Sequence, residues 1–122
     1  MFARELLGPA AEFVSPNNDT LYLLAPLDLS VGPVRIDVPD TQDRYYVLQC
    51  VDAWTNNFAY IGRRATGTAA GSFTFVGPGF DGVVDDGSTV VHSPSDVAMV
   101  VGRLQVDGVA DLPAVHALQD RF

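Results

Sequence analysis

Seven short runs rich in Val, Tyr, Phe and Ile recur along the chain, separated by breaks of Pro, Gly and Asp. Runs of this length and composition predict strands, and breaks such as Gly32-Pro33 and Gly77-Pro78-Gly79 predict turns. The predicted strands are 20–25, 34–38, 44–51, 58–62, 72–76, 89–92 and 97–106. Strands this short with turns this frequent favour an all-β fold, a single antiparallel β-sandwich or jelly-roll-like domain.

Helix is predicted only near the two ends of the chain. Residues 2–7 are long enough for a turn or two before a Gly-Pro break. Near the C-terminus, Asp111 is a candidate N-cap for a helix that begins at Leu112, with Pro113 in its first turn. The apolar residues at helical spacing in this segment are Val115, Leu118 and Phe122.

One face of the predicted strand 97–106 changes character along its length. It begins with Val97 and Met99, which we expect in the core, and ends with Arg103 and Gln105. The opposite face is apolar throughout and is expected to pack on a second layer. The polar end of the first face therefore either emerges into solvent or lines a cleft.

The charge balance excludes several classes of protein. The net charge is −8, with fifteen acidic and seven basic residues, and all of the basic residues are arginine. An acidic chain without a basic stripe is not expected to bind nucleic acid or an anionic membrane. The sequence has neither a long apolar span nor a signal peptide pattern, so we expect a cytoplasmic protein.

Two residues of the predicted strand 44–51, Cys50 and Gln49, stand out from its Val, Tyr and Leu residues. Cys50 is the only cysteine and cannot form an internal disulfide, so we expect a small buried apolar side chain. Gln49 is flanked by apolar residues, and we expect its amide to bond to neighbouring backbone.

A dense polar cluster, SPNNDT, precedes the first predicted strand. Asn17, Asn18 and Asp19 tolerate turn conformations and form Asx-turns, so the cluster predicts a turn in the first place. Its alternative role is a site, because several polar side chains in a row can bind a ligand. Tyr22 alternates outward from the strand that follows.

The segment VDAWTNNFAYIGRRATGT carries a second cluster of polar and aromatic residues. If strand geometry continues to residue 64, Tyr60 and Arg64 share a face. Arg64 together with Arg103 could hold a sulfate, phosphate or carboxylate. Trp54 supplies an apolar wall and Asp52 a possible base. The alternative is structural, with Asp52 in an ion pair with an arginine and Trp54 at the edge of the core.

Neither a metal site nor a cofactor site is expected. His92 and His116 are the only histidines, and no Cys, Asp or Glu accompanies them at ligand spacing. The glycine-rich GPGFDG segment at 77–82 leads to no predicted helix, so it is a loop rather than a phosphate-binding turn.

Five segments together resemble the bacterial family DUF1254. They are PNNDTLY (16–22), DAWTNNFAYIGRRATGT (52–68), GPG (77–79), SPSD (93–96) and VDGVADLPAVHALQDRF (106–122). The resemblance implies a β-sandwich domain, which agrees with the predicted strands. In the family this domain follows an N-terminal helical segment and precedes a second β-rich domain, DUF1214. By comparison, residues 1–12 are expected to be a truncated N-terminal segment and residues 13–122 the family domain.

The resemblance further implies one half of a split protein. We expect a second protein subunit to supply the N-terminal and DUF1214-like parts. Split members of the family resemble the two-subunit enzymes of azinomycin and vazabitide biosynthesis, which close an aziridine ring by expelling sulfate from an amino-sulfate intermediate. This chain would then bind a small anionic or sulfated amine and act without a metal or cofactor.

The implied chemistry gives each candidate residue a role. Asp52 or Asp19 would accept the amine proton, Arg64 and Arg103 would hold the departing sulfate, and Trp54 and Tyr60 would form the wall of the pocket. The other candidate substrate-binding residues are Asn17, Asn18, Tyr22 and Asn56. The alternative function is a non-catalytic binding or assembly module that completes and stabilises a partner protein.

Overall fold

The computed structural model describes residues 20–84 and 86–122 of the chain. The strands are β1 (Thr20–Asp28), β2 (Val34–Val38), β3 (Tyr46–Asp52), β4 (Asn57–Gly62), β5 (Gly71–Val76), β6 (Thr89–His92) and β7 (Val97–Gln105), followed by a 3₁₀ turn (Val109–Asp111) and helix α1 (Leu112–Gln119). All seven predicted strands are confirmed, with ends that differ by up to three residues. The helix predicted at residues 2–7 lies outside the described residues.

The strands form two sheets that pack as a β-sandwich. One sheet has four strands in the order β1-β7-β3-β4, and every neighbouring pair in it is antiparallel. The other has three strands in the order β2-β5-β6. Its β5–β6 pair is parallel, so the predicted antiparallel sandwich is confirmed with one exception.

The core lies between the sheets, on the inner face of the four-stranded sheet. Across that face, Leu23 of β1 and Leu48 of β3 flank Gly102 of β7. A Cβ at Gly102 would lie 2.9 Å from Leu48 Cδ2 and 3.1 Å from Leu23 Cβ. The missing side chain therefore lets the two leucines approach each other across the central strand, which buries apolar surface in the middle of the sandwich.

The outer face of the same sheet carries the residues that alternate with the core residues. We call it the outer face below. The expectation that Val97 and Met99 begin in the core is wrong, because their side chains are 59% and 37% exposed on this face. It is the opposite face of β7, with Ala98, Val100 and Leu104, that is buried.

An ion pair holds the start of helix α1 against the end of the four-stranded sheet where β3 begins. Arg44 donates to both carboxylate oxygens of Asp111, at 2.5 and 3.0 Å, and to the carbonyl oxygen of Gln105 at 2.8 Å. Asp111 occupies the predicted N-cap position but makes no capping bond to the helix; its carboxylate accepts from the Asp107 N–H instead. The predicted apolar stripe of α1 is confirmed for Val115 and Leu118, which are buried.

Within residues 20–84 and 86–122, no helix is long and apolar enough to cross a membrane.

Candidate functional site

A cleft of about 430 Å³ opens on the outer face, at the end of the sheet where β3 begins and β4 ends. Three of the predicted site residues come together around it: Tyr60 from β4, Arg64 from the turn after β4, and Arg103 from β7. Its remaining lining residues are Tyr45, Tyr46, Val47, Gln49, Gly62 and Ala65. No Asp or Glu is among the described residues that line it.

Arg103 owes its position to the register of β7. It pairs with Tyr22 on β1 and with Val47 on β3, so its side chain rises from the middle of the sheet. The guanidinium carbon lies 5.5 Å from the centroid of the Tyr22 ring. A cation over an aromatic face is attracted by the ring quadrupole, so Tyr22 forms a platform for this arginine at the border of the cleft.

Arg64 is positioned by a tight turn that begins at Gly62. The Gly62 carbonyl accepts from the N–H groups of Ala65, Thr66 and Gly67, and the Gly62 N–H donates to Thr66 Oγ1 at 3.0 Å. Gly62 has φ of 148°, and a Cβ there would lie 2.2 Å from the Tyr46 carbonyl oxygen. Only glycine fits this position, because the strand must turn sharply against its neighbour.

The two adjacent arginines of this turn contact different side chains. Arg63 donates to both carboxylate oxygens of Asp43, at 3.1 and 3.3 Å. Arg64 lies over the ring of Tyr45, with its guanidinium carbon 5.6 Å from the ring centroid. The two arginines therefore have different surroundings, and because β4 ends at Gly62, a turn replaces the strand that was expected to continue to residue 64.

The arginines of the described residues fall into two groups by their carboxylate contacts. Arg35, Arg44 and Arg63 each lie within ion-pair distance of at least one aspartate. Among residues 20–84 and 86–122, Arg64, Arg103 and Arg121 have no such carboxylate. Two of these three cations line the same cleft, which therefore carries positive charge in a chain whose net charge is −8.

Asp52 lies on the opposite face and at the opposite end of β3. Its side chain is 8% exposed, and its carboxylate accepts from the N–H groups of Trp54 and Asn56, at 2.8 and 2.9 Å. The Asn56 amide lies 3.4 Å from the second oxygen. These bonds shape the β3–β4 turn, in which Thr55 has φ of 65°, an unusual value for a β-branched residue. Asp52 thus anchors a turn.

The predicted base and the predicted anion clamp are therefore not brought together. Arg103 pairs with Val47, five positions before Asp52 on β3, which corresponds to about 17 Å along the strand. Trp54 and Asn56 belong to the same distant turn, and Trp54 is 69% exposed rather than packed at a core edge. Asn17, Asn18 and Asp19 lie outside the described residues.

Two of the cleft residues that were not predicted as site residues have polar side chains on the outer face or next to an arginine, Tyr45 and Gln49. The ring of Tyr45 lies under the guanidinium of Arg64. Gln49 lies between Val47 and Val51 on the outer face. Gln49 Nε2 donates to Asn57 Oδ1 at 2.6 Å, so the expectation of a backbone partner is wrong. The alternation of Tyr45, Val47 and Gln49 was the available signal, but it does not tell which face of a strand is buried.

The described residues contain no group of three or more His, Cys, Asp or Glu side chains placed to hold a metal ion. Cys50 is fully buried on the inner face, as expected, and burial raises the pKa of its thiol to about 12. A thiol of this kind carries almost no thiolate at neutral pH and is no candidate nucleophile.

The fold and the cleft define a small β-sandwich domain with a cationic, tyrosine-lined cleft on one sheet. The chain belongs to the family DUF1254, described as a protein of unknown function, whose family model matches residues 1–122. The resemblance inferred from the sequence motifs is thereby confirmed. The comparison with curated proteins gave no match.

Among solved structures, the crystal structure of the VPA0106 protein from Vibrio parahaemolyticus is similar to this chain. The two are 29% identical and superpose with a TM-score of 0.80. The match covers 97% of this chain and 29% of the Vibrio protein, so the chain spans less than a third of that relative's length.

Proposed function

We propose that this chain supplies the anion-binding part of an enzyme active site, in which an anionic group leaves a carbon atom of the substrate. The observation that carries the proposal is that Arg64 and Arg103 line one cleft without a carboxylate partner among the described residues. Arginine binds sulfate, phosphate and carboxylate through two parallel N–H donors, and such pairs are about twice as strong as neutral hydrogen bonds.

The tyrosine platforms support this role. Arg64 lies over Tyr45 and Arg103 over Tyr22, and neither has an ion-pair partner among the described residues, so their N–H groups are available to a ligand. Preorganised donors of this kind stabilise charge that develops on a leaving group without first having to reorient. Tyr60, which is 51% exposed, adds an apolar wall with a hydroxyl at its tip.

The specific reaction that we propose is aziridine ring closure with loss of sulfate. The amine nitrogen forms a bond to the neighbouring carbon, the bond from that carbon to the sulfate oxygen breaks with its electron pair, and a base takes the amine proton. Arg64 and Arg103 would stabilise the departing sulfate. No carboxylate lines the described cleft, so the proposal places the proton acceptor on a second polypeptide or on Asp19.

A second candidate function is a non-catalytic binding or assembly module. It is favoured by the exposed apolar side chains of the outer face, including Leu24, Met99 and Val97, which are 38%, 37% and 59% exposed. Exposed apolar residues that lie together mark surfaces that another protein covers.

Turnover of the reconstituted complex with a sulfated amine separates the two functions. Arg64→Ala or Arg103→Ala is expected to lower the rate of sulfate release at least about 100-fold, as removal of one preorganised donor to a developing anion does. Arg63→Ala is the matched control. It removes the same charge at the neighbouring position, but from a guanidinium that is already bound to Asp43. Equal rates for all three variants would contradict the enzyme proposal and favour the assembly module.

A further inference from the structure

The outer face has a layout that is complementary to itself. At one end of β1 and β7 stand Tyr22 and Arg103, and at the other end stand Asp28 and Val97. Between them lie two rows of mostly apolar residues, Leu24 with Val101 and Pro26 with Met99. One end of this face is therefore cationic, its middle is apolar and its far end is acidic.

We propose that two copies of the chain pack through their outer faces, related by a two-fold axis that runs across the strands between these two apolar rows. Such an axis places the cationic end of one copy on the acidic end of the other. The guanidinium of Arg103, which lies over the β1 residue Tyr22, then has Asp28 of the second copy beside it, because Tyr22 and Asp28 lie on β1 at equal distances from the axis. Asp28 contacts only part of the five-donor guanidinium, so the remaining N–H groups still bind the anion of the proposed function. The strands of the two sheets run antiparallel, within the aligned class of sheet packing.

The charges select this axis over the other possible one. A two-fold axis along the strands would bring each end of the face onto the same end of the second copy, and the arginines would repel each other. Opposite charges steer association and fix its register, whereas like charges placed opposite each other suppress the pairing. The Asp28 carboxylate stays ionised, because bonds from the Ser30 hydroxyl and N–H lower its pKa.

The same axis completes the cleft with a residue from the second copy. Arg64 lies over Tyr45, just before β3 begins, and Trp54 lies just after β3 ends. The axis crosses β3 at Cys50, which pairs with Val100, so the turn that carries Trp54 in the second copy comes to lie next to the Tyr45 end of β3, and hence to Arg64, in the first. Trp54 and Arg64 lie far apart within one chain. In the dimer, Trp54 of one copy would thus lie near Arg64 of the other.

The size of the face is sufficient for such a contact. Strands of nine residues are about 30 Å long, and four strands at a spacing of about 4.8 Å give a width of about 19 Å. Because β3 and β4 are shorter, the flat area is about 450–500 Å² per copy, and projecting side chains enlarge it. The pair therefore buries about 1,000 Å² or more in total, the lower range of specific interfaces.

Light scattering of the full chain after size-exclusion chromatography tests the pairing, over a concentration range of about 1–500 µM that covers micromolar dissociation constants. The expected mass is twice 13.1 kDa. Asp28→Arg and Arg103→Asp each weaken the dimer at least about tenfold, and the double variant restores it because the pair is only reversed. Asp81→Arg, the same charge change on an exposed loop residue, is the matched control. Circular dichroism checks that every variant is folded.

Trp54 reports on the geometry of the dimer, because it is the only tryptophan in the chain. Its fluorescence maximum is expected to move to shorter wavelength as concentration rises, and Arg64→Ala is expected to reduce this shift. A mass of 13.1 kDa at all concentrations overturns the inference, as does a dimer that the charge reversals leave unchanged, or a complex formed only with a different polypeptide. Sulfate release that responds to Arg64 in a monomeric chain would overturn the pairing and leave the proposed function standing.

Discussion

Arg63 and Arg64 are neighbours in the chain, yet their guanidinium groups do different things. Arg63 is bound by both oxygens of Asp43, whereas Arg64 rests on the Tyr45 ring in a cleft whose described lining contains no carboxylate. The Gly62 turn produces this division, because the bonds of Gly62 to Ala65, Thr66 and Gly67 set the direction of both side chains. A structural role and a proposed ligand-binding role are thus assigned to adjacent residues of the same type.

Gly62→Ala is expected to disturb both stability and the cleft. A Cβ would lie 2.2 Å from the Tyr46 carbonyl oxygen and the backbone has φ of 148°, so the turn must shift to accept it. We expect a loss of about 2–4 kcal/mol in the free energy of unfolding and weaker anion binding at Arg64. Denaturant unfolding and anion titration measure the two effects. Gly87→Ala is the control for backbone strain alone, because it also has positive φ but nothing within 4 Å of its Cβ. If Gly62→Ala behaved like this control, the turn would not be what positions Arg64.

Asp52→Ala is expected to lower stability and leave anion binding unchanged. The substitution removes the acceptor for the N–H groups of Trp54 and Asn56, so the β3–β4 turn loses bonds worth about 1–3 kcal/mol. The cleft at the other end of β3 should not respond. Thermal unfolding checks the first expectation, and titration with sulfate at a temperature where the variant is folded checks the second. Lost sulfate binding in a folded Asp52→Ala protein would show that the carboxylate acts at the cleft.

The ion pair between Arg44 and Asp111 is expected to stabilise the attachment of helix α1. Both side chains are about four-fifths buried, with exposed fractions of 21% and 17%. Asp111→Asn should cost about 1–3 kcal/mol, because it leaves Arg44 without its anion. Asp43→Asn is the matched control, since the Asp43 side chain is 79% exposed in its ion pair with Arg63. This substitution should cost about 1 kcal/mol or less.

The contribution of Asp111 should also depend on pH. The bond from the Arg44 side chain, with a further bond from the Asp107 N–H, lowers the pKa of Asp111 below its usual value of 3.8. A carboxylate with a lowered pKa in the folded state contributes stability above its unfolded pKa and loses it as pH falls through the folded pKa. The difference in unfolding free energy between the natural protein and Asp111→Asn should therefore be constant at neutral pH and shrink below about pH 4. A difference that grew toward acid pH would contradict this assignment.

The sequence was sufficient to predict the strands because their apolar runs are short and bounded by strong turn residues. It did not reveal that Val97 and Met99 lie outside the core, since their side chains are as apolar as those that form it. Face selection depends on the second sheet, which no local pattern encodes. The same limit hid Tyr45 and Gln49, whose side chains belong to the cleft only because of the register between β3 and β7.

The candidate site was predicted in part for the same reason. Tyr60, Arg64 and Arg103, which were grouped from the sequence, do line one cleft, although Arg103 is far away in sequence. Asp52 and Trp54 were grouped with them because they are near Tyr60 and Arg64 in the sequence. Yet β3 and β4 form a hairpin, so residues in its turn lie a full strand length from residues at its open end. Proximity along a hairpin sequence is therefore a poor guide to proximity in the site.

Titration of the folded chain with inorganic sulfate, followed by NMR of the arginine side-chain Nε–H groups, tests the anion site most directly. We predict saturable shifts at Arg64 and Arg103, loss of binding in Arg64→Ala and Arg103→Ala, and unchanged binding in Arg63→Ala. Raised ionic strength from sodium chloride should weaken binding only modestly, because the contacts are bidentate hydrogen bonds as well as charge interactions. Shifts that do not saturate, or that are as large at Arg63 as at Arg64, would contradict the claim that this cleft is an anion-binding site.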